Sequence, residues 1–235
     1  MADRIRFKKF SHIGLEDLLT DFHIHTAWTD GKGTVAEVVE EANRLNLKEI
    51  AFADHIRRSS DYFQAYREEV RRIARGHDLL IHVGFECKIA GFDGQPDVAP
   101  EVWDKADIRI VSVHRFPLGR KLFEPSAFSK TVCQEIEMEL SLSALKRGDV
   151  DVLGHPGGMS LENHGGFPDH SFEEIMDACR RTGTAFELNY FYHRTVFKTL
   201  VHLLRKHDPY VSFGSDAHEP KDIGAWRQHK EDFLG

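Results

Sequence analysis

The stretch DFHIHTAWTDG, residues 21–31, decides how the chain is read. Asp21, Phe22, His23, Ile24 and His25 alternate polar and apolar side chains, the period-2 signature of a strand. Residues two apart on a strand share a face, so the imidazoles of His23 and His25 can reach one ion. An i, i+2 pair of ligand-type residues returns near the other end of the chain in FGSDAH, residues 213–218, as Asp216 and His218.

Working outward, seven short β-branched or apolar runs punctuate the chain. They cover 18–25, 49–55, 79–86, 108–114, 151–155, 184–189 and 210–216, each of strand length. Helical patterns separate them. In 34–47, Val35, Val38, Val39, Ala42 and Leu45 mark one face, and Thr34 with Glu37 forms a capping box. Ser171 with Glu174 repeats that start signal, Gly148 and Gly183 stop the helices before them, and a further helix is expected from about Thr195 to His207. Strict β, α alternation implies a parallel sheet, either open or closed.

The strand ends choose between these. Six of the seven runs end in His23 with His25, His55, Glu86, His114, His155, and Asp216 followed by His218. A parallel β/α protein carries its chemistry at these carboxyl ends. In a flat sheet the first and seventh ends lie roughly 29 Å apart at about 4.8 Å per strand. Cooperating metals sit about 3.5 to 4 Å apart. Closure brings the side chains together, so the pattern predicts an α/β fold, a distorted seven-stranded (β/α)7 barrel of the TIM type, as a single domain over 1–235. Residues 1–17 are read as an extension and 219–235 as a C-terminal helix or tail.

Composition narrows the classes further. A formal charge of −7 offers no global attraction to nucleic acid or anionic lipid, so nucleic acid is disfavoured and no membrane partner is expected. Three cysteines without C-x-x-C spacing suggest neither a disulfide framework nor a thiolate metal site. With no secretory signal and no span-length apolar run, a cytoplasmic protein is expected. The 15 histidines are the departure, and those at strand ends form the pattern.

The blocks DFHIHTAWTDG, FADH, VGFE with VSVH and LGHP, and FGSDAH resemble the motifs of the polymerase and histidinol phosphatase (PHP) family, in order over 21–218. The resemblance implies nine metal ligands: His23, His25, Glu86 and Asp216 on one ion, Glu86, His114 and His155 on a second, and Asp30, His55 and His218 on a third. It also implies zinc, manganese or iron and phosphoester hydrolysis by a stand-alone domain without a polymerase. Gly157 and Gly158 stand where some relatives carry a basic group. The donor chemistry agrees, since imidazole and carboxylate without thiolate suit those three metals. Three divalent ions bring about +6, and Asp30, Glu86 and Asp216 return about −3, an excess suited to phosphate dianions.

The expected reaction is attack on phosphorus by a hydroxide bridging two metals, with no separate catalytic side chain assigned. A small phosphomonoester is the expected substrate, with histidinol phosphate or a 3′-5′ exonuclease-like phosphodiester on nucleic acid ends as alternatives, and a non-catalytic metal-binding module as the last. Arg57, Arg115 and Arg194 follow strand ends and are candidates to clamp phosphate, Arg194 preferred. The segment 159–170, MSLENHGGFPDH, reads as a surface connection or lid, and GHPGG as a turn around His155. His193 is read as structural or solvated, and the oligomeric state is left open.

Overall fold

In the computed structural model, which describes residues 5–119 and 121–233, seven parallel strands follow the order of the chain. They are β1 (Thr20–Ile24), β2 (Glu49–Phe52), β3 (Leu80–Lys88), β4 (Ile108–Ser112), β5 (Val152–Gly154), β6 (Ala185–Asn189) and β7 (Tyr210–Gly214). Each pairs in parallel with the next from β1 to β7. The sheet curls until β1 meets the segment after β7. There His25 N–H donates to Ala217 O at 3.0 Å, Asp216 N–H to His23 O at 2.9 Å, and Ile24 bridges Ala217. A single bridge in place of a full ladder makes the barrel distorted. Buried Asp21 reinforces this seam by accepting the backbone N–H groups of Ser215 at 2.9 Å and Gly224 at 2.7 Å.

Two residues of the N-terminal extension, Lys8–Lys9, add an antiparallel strand to β7. Phe7 then packs edge-on against Phe22, 5.7 Å between centroids, so the extension closes the amino end of the barrel. Residues 1–4 of that extension and 234–235 of the tail lie outside the described residues.

The helices form where the apolar spacing demands. They are α1 (Val35–Arg44), α2 (Phe63–Ala74), α3 (Pro100–Trp103), α4 (Lys130–Lys146), α5 (Gly158–His164), α6 (Asp169–Thr182), α7 (Tyr190–His193), α8 (Phe197–His207) and α9 (Lys230–Phe233). Helix α1 has the expected capping box: Thr34 Oγ1 accepts Glu37 N–H and Glu37 Oε2 accepts Thr34 N–H. Such a cap is worth about 1 kcal/mol. Its face Val35, Val38, Val39 and Ala42 is buried. The helix stops at Gly148 and Gly183 lie in left-handed backbone, φ 73° and 78°, as their placement after α4 and α6 requires.

Two local readings are corrected. Helix α6 begins at Asp169, not at a Ser171 cap, because extended Pro168 precedes it and Asp169 places its charge in the first turn. Half of the segment expected as a surface connection lies in α5, whose Gly158, Met159, Ser160 and Leu161 are buried. Buried Glu137 of α4 accepts the N–H groups of Met159 and Ser160 at 2.9 and 2.8 Å, which holds α5 in place. In the stretch after His218, 3-10 turns at Pro220–Asp222 and Ala225–His229 precede α9, and Trp226 donates from Nε1 to Leu188 O and Gly214 O.

Inside the barrel, Ala51, Ala53, Ile108, Ile110, Val152 and Ala185 pack with Phe22. Side chains two apart share a face, so these rows continue toward the carboxyl end as His55 from β2, Ser112 and His114 from β4, and Glu187 and Asn189 from β6. The apolar interior thus turns into a polar floor within one strand length. Among the described residues no helix is long and apolar enough to cross a membrane.

Candidate metal centre

The nine expected residues converge at the carboxyl end of the barrel. Glu86, buried at the end of β3, stands at the centre with its two oxygens facing different neighbours. Oε1 lies 2.9 Å from His155 Nε2 and 3.4 Å from His114 Nε2. Oε2 lies 3.0 Å from His55 Nδ1, 3.5 Å from His23 Nε2 and 3.7 Å from His25 Nε2. Asp216 Oδ1 approaches His25 Nε2 at 3.2 Å, while Asp30 Oδ2 lies 3.2 Å from His55 Nε2 and 3.5 Å from His218 Nε2.

Three groups have donor atoms mutually within 4.8 Å: His23, His25 and Asp216; His55, Glu86 and His114; and His25, Asp30, His55 and His218. They overlap the three expected sets without reproducing them: Glu86 is absent from the first group, His55 stands in the second where His155 was expected, and His25 and His55 each belong to two groups. Two members sit in left-handed backbone, His155 at φ 29° and Asp216 at φ 58°. For the histidine this costs on the order of 1–3 kcal/mol, and the surrounding bonds maintain it.

The electrostatics suit cations. Burial opposes charge on Glu86 and Asp216, yet the adjacent imidazoles hold both carboxyls below the usual carboxylate range. Hydrogen bonds from His218 and His55 lower Asp30 in the same direction. Burial pushes His114 down to about 4. For His23, burial works against protonation, but Glu187, Asp216 and Glu86 outweigh it and hold its pKa well above the usual value. His55, similarly, is raised to about 10 by Asp30 and Glu86.

The donor set fits metal. His23 Nε2 and both ring nitrogens of His25 are buried without a hydrogen-bond partner, although each imidazole touches carboxylates. A buried polar atom left this way is costly unless something fills its lone pair. Orientation comes from a second layer. Glu187 Oε1 takes His23 Nδ1 at 2.7 Å, which turns Nε2 toward Glu86. His218 Nδ1 faces Asp216 O at 3.0 Å, which turns its Nε2 toward Asp30. Buried Asp54 accepts Thr26 N–H, Thr26 Oγ1–H and Thr29 Oγ1–H, which fixes the loop carrying Asp30.

Glu187 and Asn189 were not singled out from the sequence, because the sixth strand ends without a ligand. Glu187 Oε2 accepts the backbone N–H of His155 at 2.7 Å and Nδ2–H of Asn189 at 3.1 Å, and Asn189 also donates to Asp216 Oδ2 at 3.1 Å. Their signal was present as the alternation Ala185, Glu187, Asn189, which places two polar residues on an inward row.

A cavity of about 760 Å³ opens over Asp30, His55, Glu86, His114, Asp216 and His218. Arg194 lines it, whereas Arg57 and Arg115 do not. Arg115 is paired with Glu124 at 2.7 Å. His193, far from solvent, is a structural residue as expected.

The PHP domain model matches residues 21–192, more than half of the chain. The chain belongs to the PHP domain family. This PHP domain is 26% identical over 220 residues to the DNA polymerase/3′-5′ exonuclease PolX of Bacillus subtilis, covering 88% of the chain but 35% of that protein. It therefore spans about a third of that relative's length. It is 27% identical over 219 residues to a protein named probable phosphatase of Caldicellulosiruptor bescii, covering 88% of the chain and 82% of that protein. By fold it resembles the histidinol phosphate phosphatase of Lactococcus lactis, solved with zinc, L-histidinol and phosphate: TM-score 0.67, 18% identity, 92% of each chain. The likeness in fold covers nearly the whole chain.

Proposed function

We infer that this PHP domain, within the metal-dependent phosphoester hydrolysis its family membership carries, acts on small phosphomonoesters with three divalent ions of zinc, manganese or iron. The observation that carries the reading is Glu86, a buried carboxylate whose two oxygens face two different groups of imidazoles. A carboxylate placed so can be shared by two cations. The three ions would be held by His23, His25, Glu86 and Asp216, by Glu86, His114 and His155, and by Asp30, His55 and His218. When bound, they would neutralise phosphoryl oxygens and lower the pKa of water.

The chain's own residues bind and orient. Glu187 engages His23 at Nδ1 and directs its Nε2 toward the cluster, where it would serve as a ligand atom. Arg194, at the cavity wall, supplies a guanidinium for the dianion. Below the site the interior of the barrel is apolar. The names of the phosphatase relatives support a phosphomonoester, and the charge balance of the chain supports a small one.

Metal analysis of protein purified without chelator, followed by a phosphomonoester panel and an oligonucleotide at matched manganese or zinc loading, tests this. Two to three ions per chain with turnover of the monoesters is expected. No metal and no turnover, or turnover of the oligonucleotide alone, would overturn it.

A further inference from the structure

The cavity above the cluster is far larger than a phosphate group and falls in the size range of pockets that enclose a whole small ligand. What it offers the rest of the ester is set by α7. That single turn is fixed from several directions. Asn189 Oδ1 accepts Tyr192 N–H at 3.2 Å, and Asn189 N–H donates to His193 Nδ1 at 3.1 Å. His193, buried completely, donates from Nε2 to Pro156 O at 3.0 Å. The Tyr192 ring lies against His155, 4.7 Å between centroids.

Between these anchors stands Phe191, which lines the cavity and is 47% exposed. A mobile surface loop could shed such a ring into solvent at little consequence, but this backbone is held, so the ring is presented at the cavity wall. The Arg194 guanidinium lies over it at 5.4 Å from the ring centroid and so covers one face, and Tyr192 packs edge-on at 4.9 Å, which leaves the opposite face for an incoming ring. The ammonium groups of the same wall are already engaged: Lys32 and Lys221 both hold Glu219, at 2.5 and 2.7 Å. Ile223 and Ala225 also line the cavity. Beyond the phosphate, the wall therefore offers flat and apolar contact at Phe191, Ile223 and Ala225, alongside the carboxylates of Glu162 and Asp222.

We propose that Phe191 is a stacking platform for the leaving group, and that the esters this site takes best carry an aromatic ring on the alcohol. The inference rests on the phosphomonoesterase reading and deepens it. An aromatic ring offset on Phe191 gains quadrupole complementarity as well as buried area, which an alkyl chain of similar length does not. The scissile bond is unchanged, so the effect belongs to binding.

Benzyl phosphate and n-butyl phosphate test it, since both release a primary alcohol, together with their non-hydrolysable phosphonates as binding probes. With manganese-loaded protein, benzylphosphonate is expected to bind about tenfold more tightly than butylphosphonate, and KM to differ in the same sense, the size of one stacking contact. Phe191→Ala should erase the preference, read as the ratio of the two phosphonate affinities, while leaving metal content unchanged. Phe191→Tyr should keep it. Equal binding of the two phosphonates by the wild-type protein, or a preference that survives Phe191→Ala, overturns the platform even when both esters are hydrolysed. A benzyl preference in binding with neither ester hydrolysed supports the platform and overturns the esterase reading.

Discussion

Glu187 Oε1 lies 2.7 Å from His23 Nδ1, and its other oxygen accepts the backbone N–H of His155 at 2.7 Å, so one buried carboxylate orients residues from two strands. Replacing it with Gln keeps the volume and removes one acceptor. The amide NH2 would then face either the N–H of His23 or that of His155, donor against donor. Glu187→Gln is therefore expected to weaken metal binding by about 10–100-fold, the usual cost of losing such an orienting partner. Competition against a chromogenic chelator measures it, and an unchanged affinity would show that the pair is structural only.

Glu86 acts more directly. Its oxygens face His155 and His114 on one side and His55, His23 and His25 on the other. Glu86→Gln is expected to abolish phosphomonoester hydrolysis and lower metal content by more than one equivalent. His218→Ala, whose side chain borders Asp30, should lose about one. Near-normal rate and full metal in Glu86→Gln would mean that the two sides are not coupled through this residue.

Of the three arginines, only Arg194 lines the cavity. Arg194→Ala is expected to raise the inhibition constant for inorganic phosphate by about tenfold, since a charge-assisted bond contributes about 1.5–3 kcal/mol when buried and less at this exposed rim. Metal content should not change. Inhibition by phosphate at wild-type strength in this variant would exclude Arg194 as the clamp.

His193 carries a pH signature. Burial holds its pKa down to about 4, against 6.5 for a free imidazole. A histidine lowered in the folded state favours folding fully above the free value, and that contribution is lost as pH falls from about 6.5 toward 4, because the unfolded chain takes up the proton first. His193→Gln lacks this term. In chelator, where metal loss plays no part, the urea-unfolding free energies of wild type and variant are expected to converge by up to about 3 kcal/mol over that window. A difference independent of pH would indicate that His193 is not buried in its neutral form.

Much of this was legible in the chain. The seven strands lie where period-2 alternation and β-branched runs placed them, because burial of one inward row per strand demands that pattern. The His, Glu and Asp residues at the strand ends argue for closure, since only a barrel brings Asp216 near His25. Helix α1 announced itself through Thr34, Glu37 and its apolar face.

Other features depend on partners too distant in sequence for local patterns to register. Glu187 meets His23 across 164 residues, and nothing adjacent to either says so. Helix α5 was hidden because its glycine-rich start reads as a turn; Glu137, 22 and 23 residues away, supplies the acceptor for its first amide groups. Which of Arg57, Arg115 and Arg194 lines the cavity likewise depends on where each loop turns, not on its place after a strand. By itself the sequence determined the strand period, the parallel order and the ligand chemistry, because these follow from side-chain alternation and residue type. Only the tertiary structure decided which groups orient the ligands and which line the cavity, because both depend on the closing of the sheet between Ile24 and Ala217.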